Sequence, residues 1–470
     1  MAARTPRPLS GYPELLPGEQ VVEDHLLQVL RDVAARHGFA HVETRAVEPL
    51  SVLLRKGEID KEVYAVRRLA EMTAGTATGE GAEGALADDV LALHYDLTVP
   101  FARYVLENAG KLLFPFRRYQ VQKVWRGERP QEGRFREFRQ ADVDVVDAGA
   151  LAPHHEVEVP LVLADVLAGL PLPPLVLQVN NRRLVEGFYR GLGVEDTAAV
   201  MREVDKLDKV GPERVRASLV GAVGLGEREA DAALRLAALT ADRQAGTGFV
   251  AAVRGLGVRD DLLEQGLDEL AAVVTGVTDQ ARAGGVGEDR FRVVADLSIT
   301  RGLDYYTGTV YESRMTGFEH LGSVSSGGRY DALADDGRTT YPGVGISLGV
   351  TRLLVPLLQR GLLRASRPTP TAVLVAVADE EHRPASAAVA AALRARGVAT
   401  EIAPTAARFG KQIKHADRRS VPFVWFVQED GTHEVKDIRS GEQVAADPAT
   451  WAPPAEDLRP SVRWEGDAPA

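Results

Sequence analysis

The chain has no cysteine among its 470 residues. That excludes disulfides, thiolate metal sites and thiol nucleophiles, and it suits a reducing compartment. No apolar run approaches the ~20 residues a membrane span requires, so no membrane partner is expected. The opening "MAARTPRPLSGYPELLPGEQ" sets prolines and acids where a secretory peptide needs an apolar core. No signal peptide is expected there, and the cytoplasm is the expected location. Aromatic residues make up only 6%. An excess of positive charge is lacking as well: the net charge is −11, against the basic footprint usual in nucleic-acid binders.

The remaining composition, 45% hydrophobic and 26% charged, is that of a globular chain. Its length exceeds one ordinary core, so two or three domains are expected. The basic residues it has are concentrated. Lys111, Arg117, Arg118, Lys123, Arg126, Arg129, Arg134, Arg136 and Arg139 stand against only Glu128, Glu132 and Glu137. An acidic protein with one such segment can hold a polyanion there and repel it elsewhere; a solvated face gives the same pattern.

Periodicity organises the rest. Val22, Leu26, Leu27, Leu30 and Val33 share one face of a helix over 19–39, with Gly38 suited to end it. "HVETRAVEP" (41–49) reads as a short strand, and 72–89 as a Gly/Ala/Thr-rich loop. Residues 91–106 read as a strand running into a helix. Residues 119–147 read as two antiparallel strands around a loop at 127–133, because apolar and polar residues alternate. The pattern is helical and charged from about 184 to 284, and strand signals return at "RFRVVADLSI". Residues 342–363 read as strand, glycines and helix, and 364–371 as a Pro-rich linker. Beyond it strands and helices alternate, as in a small α/β domain.

Four segments carry chemistry-bearing residues. The hairpin offers Arg126, Phe138, Gln140 and Asp144: a guanidinium, a phenyl face, an amide and a carboxylate, able to hold a nucleotide and a small zwitterion if their parity matches. A twisted surface hairpin would carry the same residues. "YPGVGISLGVTRLL" brings Gly343, Gly345 and Gly349 before Arg352, allowing close ligand approach and bidentate phosphate binding. It matches neither the dinucleotide fingerprint nor the Walker loop. "LHYDLT" offers Asp96 and Thr98 for an α-ammonium group. "RGLDYYTGTVYE" (301–312) sets a permanent cation and two adjacent phenols at the mouth of a strand.

Taken together, these stretches resemble a known family. "VWRGERPQEGRFREFRQADVDV" resembles motif 2 of the class II aminoacyl-tRNA synthetases, and "PGVGISLGVTRL" their motif 3. "RGLDYYTGTVYE" and "SVSSGGRYDALA" resemble the two signatures of the histidyl-tRNA synthetase family. "HYDLTVPFARY", "VNNRR" and "VDKLDKV" are similar to its eukaryotic-like longer form, whereas the loop "GERPQEG" looks like the bacterial one. The likeness runs from about Ser10 to Trp451.

The resemblance implies an α+β fold: a class II antiparallel sheet flanked by helices, with a helical insertion and a C-terminal α/β anticodon-binding domain. The implied boundaries are 1–183 and 286–363 for the catalytic core, 184–285 for the insertion, 364–371 for the linker and 372–470 for the anticodon-binding domain. It implies a histidine–tRNA ligase that forms histidyl-adenylate from L-histidine and ATP and transfers histidine to its tRNA. Arg301 and Arg126 would be catalytic. Asp96, Thr98, Gln140, Asp144, Tyr305 and Tyr306 would bind histidine, and Arg126, Phe138 and Arg352 would bind ATP. Arg129, Gln131 and Arg134 in the loop, with Lys411 and Lys414 (and Arg418 and Arg419 nearby), would contact tRNA. Mg²⁺ would arrive with ATP; no residue is assigned to metal. A homodimer is implied, although Arg45 stands where motif 1 usually has proline, with Pro49 four residues on. The alternative is a non-catalytic synthetase-like regulatory subunit of ATP phosphoribosyltransferase, which lacks the anticodon domain and typically loses catalytic residues.

Overall fold

The computed structural model describes residues 6–54, 63–69, 90–242, 248–299 and 306–466. The Gly/Ala/Thr-rich stretch 72–89 lies outside them, as do Arg301 and Tyr305. Contacts divide the chain into two units, one holding residues 29–356 and the segment before Glu14, the other 14–28 and 357–467.

The first unit is built on a nine-stranded sheet. Its strands, numbered in chain order, are β1 (Ala40–His41), β2 (Phe116–Trp125), β3 (Glu137–Val146), β4 (Leu175–Asn181), β5 (Thr240–Asp242), β6 (Phe291–Asp296), β7 (Thr309–Met315), β8 (Ser325–Tyr330) and β9 (Gly343–Gly349). Their spatial order is β1-β2-β3-β9-β8-β7-β4-β6-β5. Only β1–β2 and β4–β6 pair in parallel; the other neighbours are antiparallel.

Register makes the two faces chemically different, because cross-strand partners project to the same side. One face takes Val121, Ala141, Val143, Val145, Val344, Ile346, Leu348, Leu177 and Val179, all buried. Helices His155–Ala168 and Asp261–Ala283 pack on the sheet, and the Tyr311 hydroxyl donates to the Glu156 carbonyl at 2.5 Å. The other face carries Arg118, Gln120, Gln140, Asp142 and Asp144, also buried. A sheet that buries a group of polar side chains on one face must satisfy them there, so this is where binding chemistry is sought.

Three expectations need adjustment. "HVETRAVEP" is not one strand: β1 ends at His41, and Val47–Pro49 pairs instead with Leu91–Leu93. Between them Arg45 reaches the buried Glu48 carboxylate at 2.9 Å, which Arg103 also holds at 2.8 Å. The insertion is not wholly helical, since β5 adds to the edge of the central sheet beside β6. Within the insertion, helices Arg182–Gly191 and Asp261–Ala283 cross closely at Gly187 and Gly266. A Cβ at Gly266 would lie 2.7 Å from Leu184 Cα.

The second unit holds a five-stranded sheet, ordered Thr400–Ile402, Val373–Val375, Phe423–Val427, His433–Asp437 and Gln443–Ala445. Helices Arg383–Ala395 and Phe409–Arg418 complete an α/β unit. The segment 364–371 is not a free linker. Leu363–Ala365 pairs antiparallel with Val462–Trp464, and Arg367 is buried, donating to the carbonyls of Thr369, Pro370 and Asp457. Those backbone bonds fix the segment to the chain's later residues despite its prolines.

Candidate active site

β2 and β3 pair in register over ten residues, from Phe116 opposite Val146 to Trp125 opposite Glu137. Phe138 and Gln140 therefore project from the polar face, and Arg126 leaves the end of β2 beside them. The Arg126 guanidinium lies 5.1 Å from the Phe138 ring centroid, and its Nε donates to the Tyr95 carbonyl at 3.1 Å. The loop beyond is tied from outside: the Gly11 carbonyl accepts from the backbone N–H groups of Arg136 (2.7 Å) and Glu137 (3.1 Å).

Arg352 sits in the first turn of helix Val350–Gln359, which follows β9 directly. Its Nε and Nη2 donate to the Leu321 carbonyl at 3.0 and 2.5 Å. Burial holds its pKa below the ordinary arginine value, and the neighbouring Arg134 and Arg126 push the same way against Glu128. All three guanidiniums line one cavity of about 240 Å³, with Phe138, Gln140, Glu128 and Ser347. Arg134, expected on tRNA, thus shares the cavity of the ATP candidates. Arg129 and Gln131, on the same loop, are exposed.

Beside Gln140 the polar face continues into a buried carboxylate cluster. The Gln140 amide donates to Asp142 Oδ1 (2.9 Å) and Ser347 Oγ (3.3 Å). Asp144 accepts from the Tyr330 hydroxyl at 2.9 Å and lies 2.9 Å from Arg118 Nη2. Burial raises the Asp144 pKa; Arg118 lowers it, Asp142 raises it, and the result is pushed up to about 6. Burial raises Asp142 likewise, and Asp96 pushes both carboxylates further up. Asp96 Oδ1 accepts from the Val99 N–H at 3.2 Å, at the start of helix Thr98–Asn108, and Thr98 is buried.

Two glycines make room here. Gly345 pairs with Asp144 on one side and Gly328 on the other. A Cβ at Gly345 would lie 2.5 Å from Asp144 Cγ, and one at Gly328 would lie 2.8 Å from Tyr306 Cδ1. Asp144 and Tyr306 therefore fill the spaces left by two adjacent bare backbone positions. The structure thus joins Arg126, Phe138, Gln140 and Arg352 in one cavity, and sets Asp96, Asp144 and Tyr306 about the neighbouring cluster. Sequence reasoning missed Arg118, Asp142 and Tyr330 as members. Arg118 and Gln120 do keep the two-residue period opposite Asp144 and Asp142, and Tyr330 lies inside "GGRYD".

In the second unit Lys411 and Lys414 are exposed on one helix, with Arg418. Arg419 is committed elsewhere: its guanidinium clasps Glu401, with Nη2 at 2.7 Å, and holds that carboxyl down at about 2. Among the described residues, the group spaced to hold a metal is His154, His155 and Glu158. Arg117 on the apolar face occupies Glu158 at 2.9 Å, away from the cavity.

A model of the histidyl-tRNA synthetase family matches residues 11–353. Histidine–tRNA ligases of Cutibacterium acnes and Micrococcus luteus are 56% and 58% identical to this chain, over 97% of it and 98% of each of theirs. The chain belongs to the histidyl-tRNA synthetase family. A model of an anticodon binding domain matches residues 371–450 of this synthetase. The crystal structure of histidyl-tRNA synthetase from Nostoc sp. PCC 7120 superposes with a TM-score of 0.80 at 32% identity, covering 94% of this chain and 97% of that one. A Bacillus halodurans protein described as an ATP phosphoribosyltransferase regulatory subunit/histidyl-tRNA synthetase shares the fold at 18% identity, with a TM-score of 0.68. The full-length ligase relatives and the anticodon-binding match favour the synthetase over the regulatory alternative.

Proposed function

We propose that the cavity and the adjoining carboxylate cluster are the two halves of the histidine–tRNA ligase site, one for ATP and one for histidine. The observation that carries this is the convergence of Arg126, Arg134 and Arg352 on one cavity with an aromatic face. Arg126 and Arg134 disfavour the Arg352 cation beside them. Glu128 is the one carboxylate lining the cavity among the described residues, and a triphosphate would supply the remaining counter-charge. Phe138 stacks on adenine, Arg126 meets the α-phosphate, and Arg352 with Arg134 holds the β- and γ-phosphates.

Gln140, Asp96 and Thr98 take the α-ammonium group, and Asp144 with Tyr305 and Tyr306 takes the imidazole. That orientation aims the histidine carboxylate at the α-phosphorus. Its oxygen attacks as the bond to pyrophosphate breaks, and negative charge builds on the phosphoryl oxygens. A fixed guanidinium there is worth roughly 3–4 kcal/mol; Arg126 fills that role, with Arg301 assigned to it by family likeness. The terminal ribose hydroxyl of tRNA then attacks the adenylate carbonyl and AMP departs.

Mg²⁺ fits this donor set, since it binds through substrate phosphates and one or two carboxylates. Glu128 lines the cavity and Glu312 lies within electrostatic reach of Arg352. When bound, the ion neutralises the triphosphate. We assign tRNA contacts to exposed Arg129 and Gln131 on the loop and to Lys411 and Lys414, and infer a homodimer working in the cytoplasm.

Histidine-dependent ATP–pyrophosphate exchange by the purified chain tests the reading. In the same assay Arg352→Ala should raise the ATP KM about 10–100-fold, matching one lost charge-assisted contact, with the histidine KM within about threefold. A protein that binds histidine without exchange would return the regulatory reading, and an unchanged ATP KM would remove Arg352 from the nucleotide.

A further inference from the structure

Arg118 is fully buried, yet it belongs to no motif the resemblance marks as functional. It stands on β2 directly opposite Asp144, with Gln120 opposite Asp142. Its Nη1 donates to Gln120 Oε1 at 3.0 Å and its Nη2 to the Leu97 carbonyl at 3.3 Å. The same Nη2 lies 2.9 Å from Asp144 Oδ2 and 3.6 Å from Asp142 Oδ2. The guanidinium carbon packs 4.2 Å from the Phe101 ring centroid, which caps it from below. Every contact restrains the group, so its position is set before any ligand arrives.

The charge balance gives that restraint a purpose. Asp96, Asp142 and Asp144 are buried within electrostatic reach of one another, and among the described residues Arg118 is the cation in contact with the last two. A buried carboxylate without a counter-charge takes up a proton or moves toward water. A protonated or displaced Asp144 loses its value as an acceptor for an imidazole N–H. Tyr330 fixes Oδ1 with a single bond, which leaves rotation about that bond open. The Arg118 cation, 2.9 Å from Oδ2, opposes that rotation by charge and leaves the hydrogen-bonding capacity of Oδ2 open.

We propose that Arg118 is a positioning residue for histidine recognition, holding the Asp144 carboxylate aimed at the imidazole from behind. This rests on the reading that Asp144 binds the ring. The competing role is a tether: through Leu97 and Phe101, Arg118 would merely anchor helix Thr98–Asn108 to the hairpin. A tether affects folding and leaves substrate choice untouched.

The two roles separate by discrimination between histidine and 3-(4-thiazolyl)alanine, whose ring has imidazole's shape without the N–H. The readout is the ratio of kcat/KM for the two amino acids in pyrophosphate exchange, with the ATP KM and thermal melting alongside. Arg118→Met should lower the ratio tenfold or more with the ATP KM within twofold. Arg118→Lys, which keeps the charge but not the fork, should fall between. A folded Met variant with lower melting temperature but an unchanged ratio would leave Arg118 a tether and overturn the proposal. If the Met variant does not fold, the Lys variant decides: a histidine KM raised at least fivefold supports the proposal, and an unchanged one overturns it. Asp144→Asn separates the two levels of inference. Should it keep the ratio, the reading of Asp144 fails and the proposal with it; should it lose the ratio while Arg118→Met keeps it, only the role of Arg118 fails.

Discussion

Gly345→Ala is a minimal change that strikes the centre of the proposed histidine half. The added methyl would lie 2.5 Å from Asp144 Cγ, about 1 Å inside carbon–carbon contact. β9 is central, paired with β3 and β8, so its backbone has no room to retreat. Asp144 must move instead, and it is held by Tyr330 and Arg118 at 2.9 Å each. A shift of about 1 Å stretches the Tyr330 hydrogen bond beyond its range and disturbs the Arg118 ion pair. A misplacement of that size in a recognition group costs on the order of 10²-fold. The histidine KM in pyrophosphate exchange should therefore rise about 100-fold, with the ATP KM within about threefold, because the guanidinium cavity lies further along the same face. Circular dichroism and melting establish that the variant is folded. A folded variant with a normal histidine KM would refute the packing argument and the place of Asp144 in the site together.

Asp144 also predicts a pH dependence of stability. Its carboxyl titrates at about 6 in the folded chain, mainly through burial, against 3.8 as the unperturbed value. The folded state thus binds the proton more tightly, a contribution fully present below about 3.8 and lost as pH rises through about 6. Without ligands, the unfolding free energy of the wild type relative to Asp144→Asn should fall by roughly 1 kcal/mol between pH 5 and 7; parallel curves in urea titrations would contradict it. Reversing Lys411 and Lys414 to glutamate should raise the KM for tRNA about tenfold or more in charging assays and leave pyrophosphate exchange alone; equal charging would move the contact elsewhere. Gly266→Ala should destabilise the insertion's helix crossing by about 2–3 kcal/mol, since the methyl meets the Leu184 backbone rather than a flexible side chain. Chemical denaturation checks this, and an unchanged midpoint would show that the helices can part freely.

Much of this was legible in the sequence because the evidence was periodic or local. The hairpin announced itself by alternation, and parity then put Phe138, Gln140 and Asp144 on one face. The C-terminal α/β unit followed from alternating strand and helix patterns, and Gly38, at φ 77°, ends the first helix as expected. What escaped depended on distant partners. Nothing near Arg118 indicates that it faces a carboxylate 26 positions later, because that follows only from strand register. Arg134 reads as one more basic loop residue until Arg352, from a helix over 200 residues on, is found across the cavity. The segment 364–371 looked free because its prolines break local structure, whereas its order comes from pairing with residues near 460. Arg419 looked available beside Arg418, and only the neighbouring strand's Glu401 shows that it is spent.

The backbone strap at Gly11 bears on how this enzyme is handled. Its one carbonyl receives two N–H groups from the root of the loop that bears Arg129, Gln131 and Arg134. A peptide far from the signature motifs thereby restrains the loop that lines the arginine cavity. Trimming the chain past Gly11 would remove the shared acceptor of two backbone N–H groups at the root of that loop.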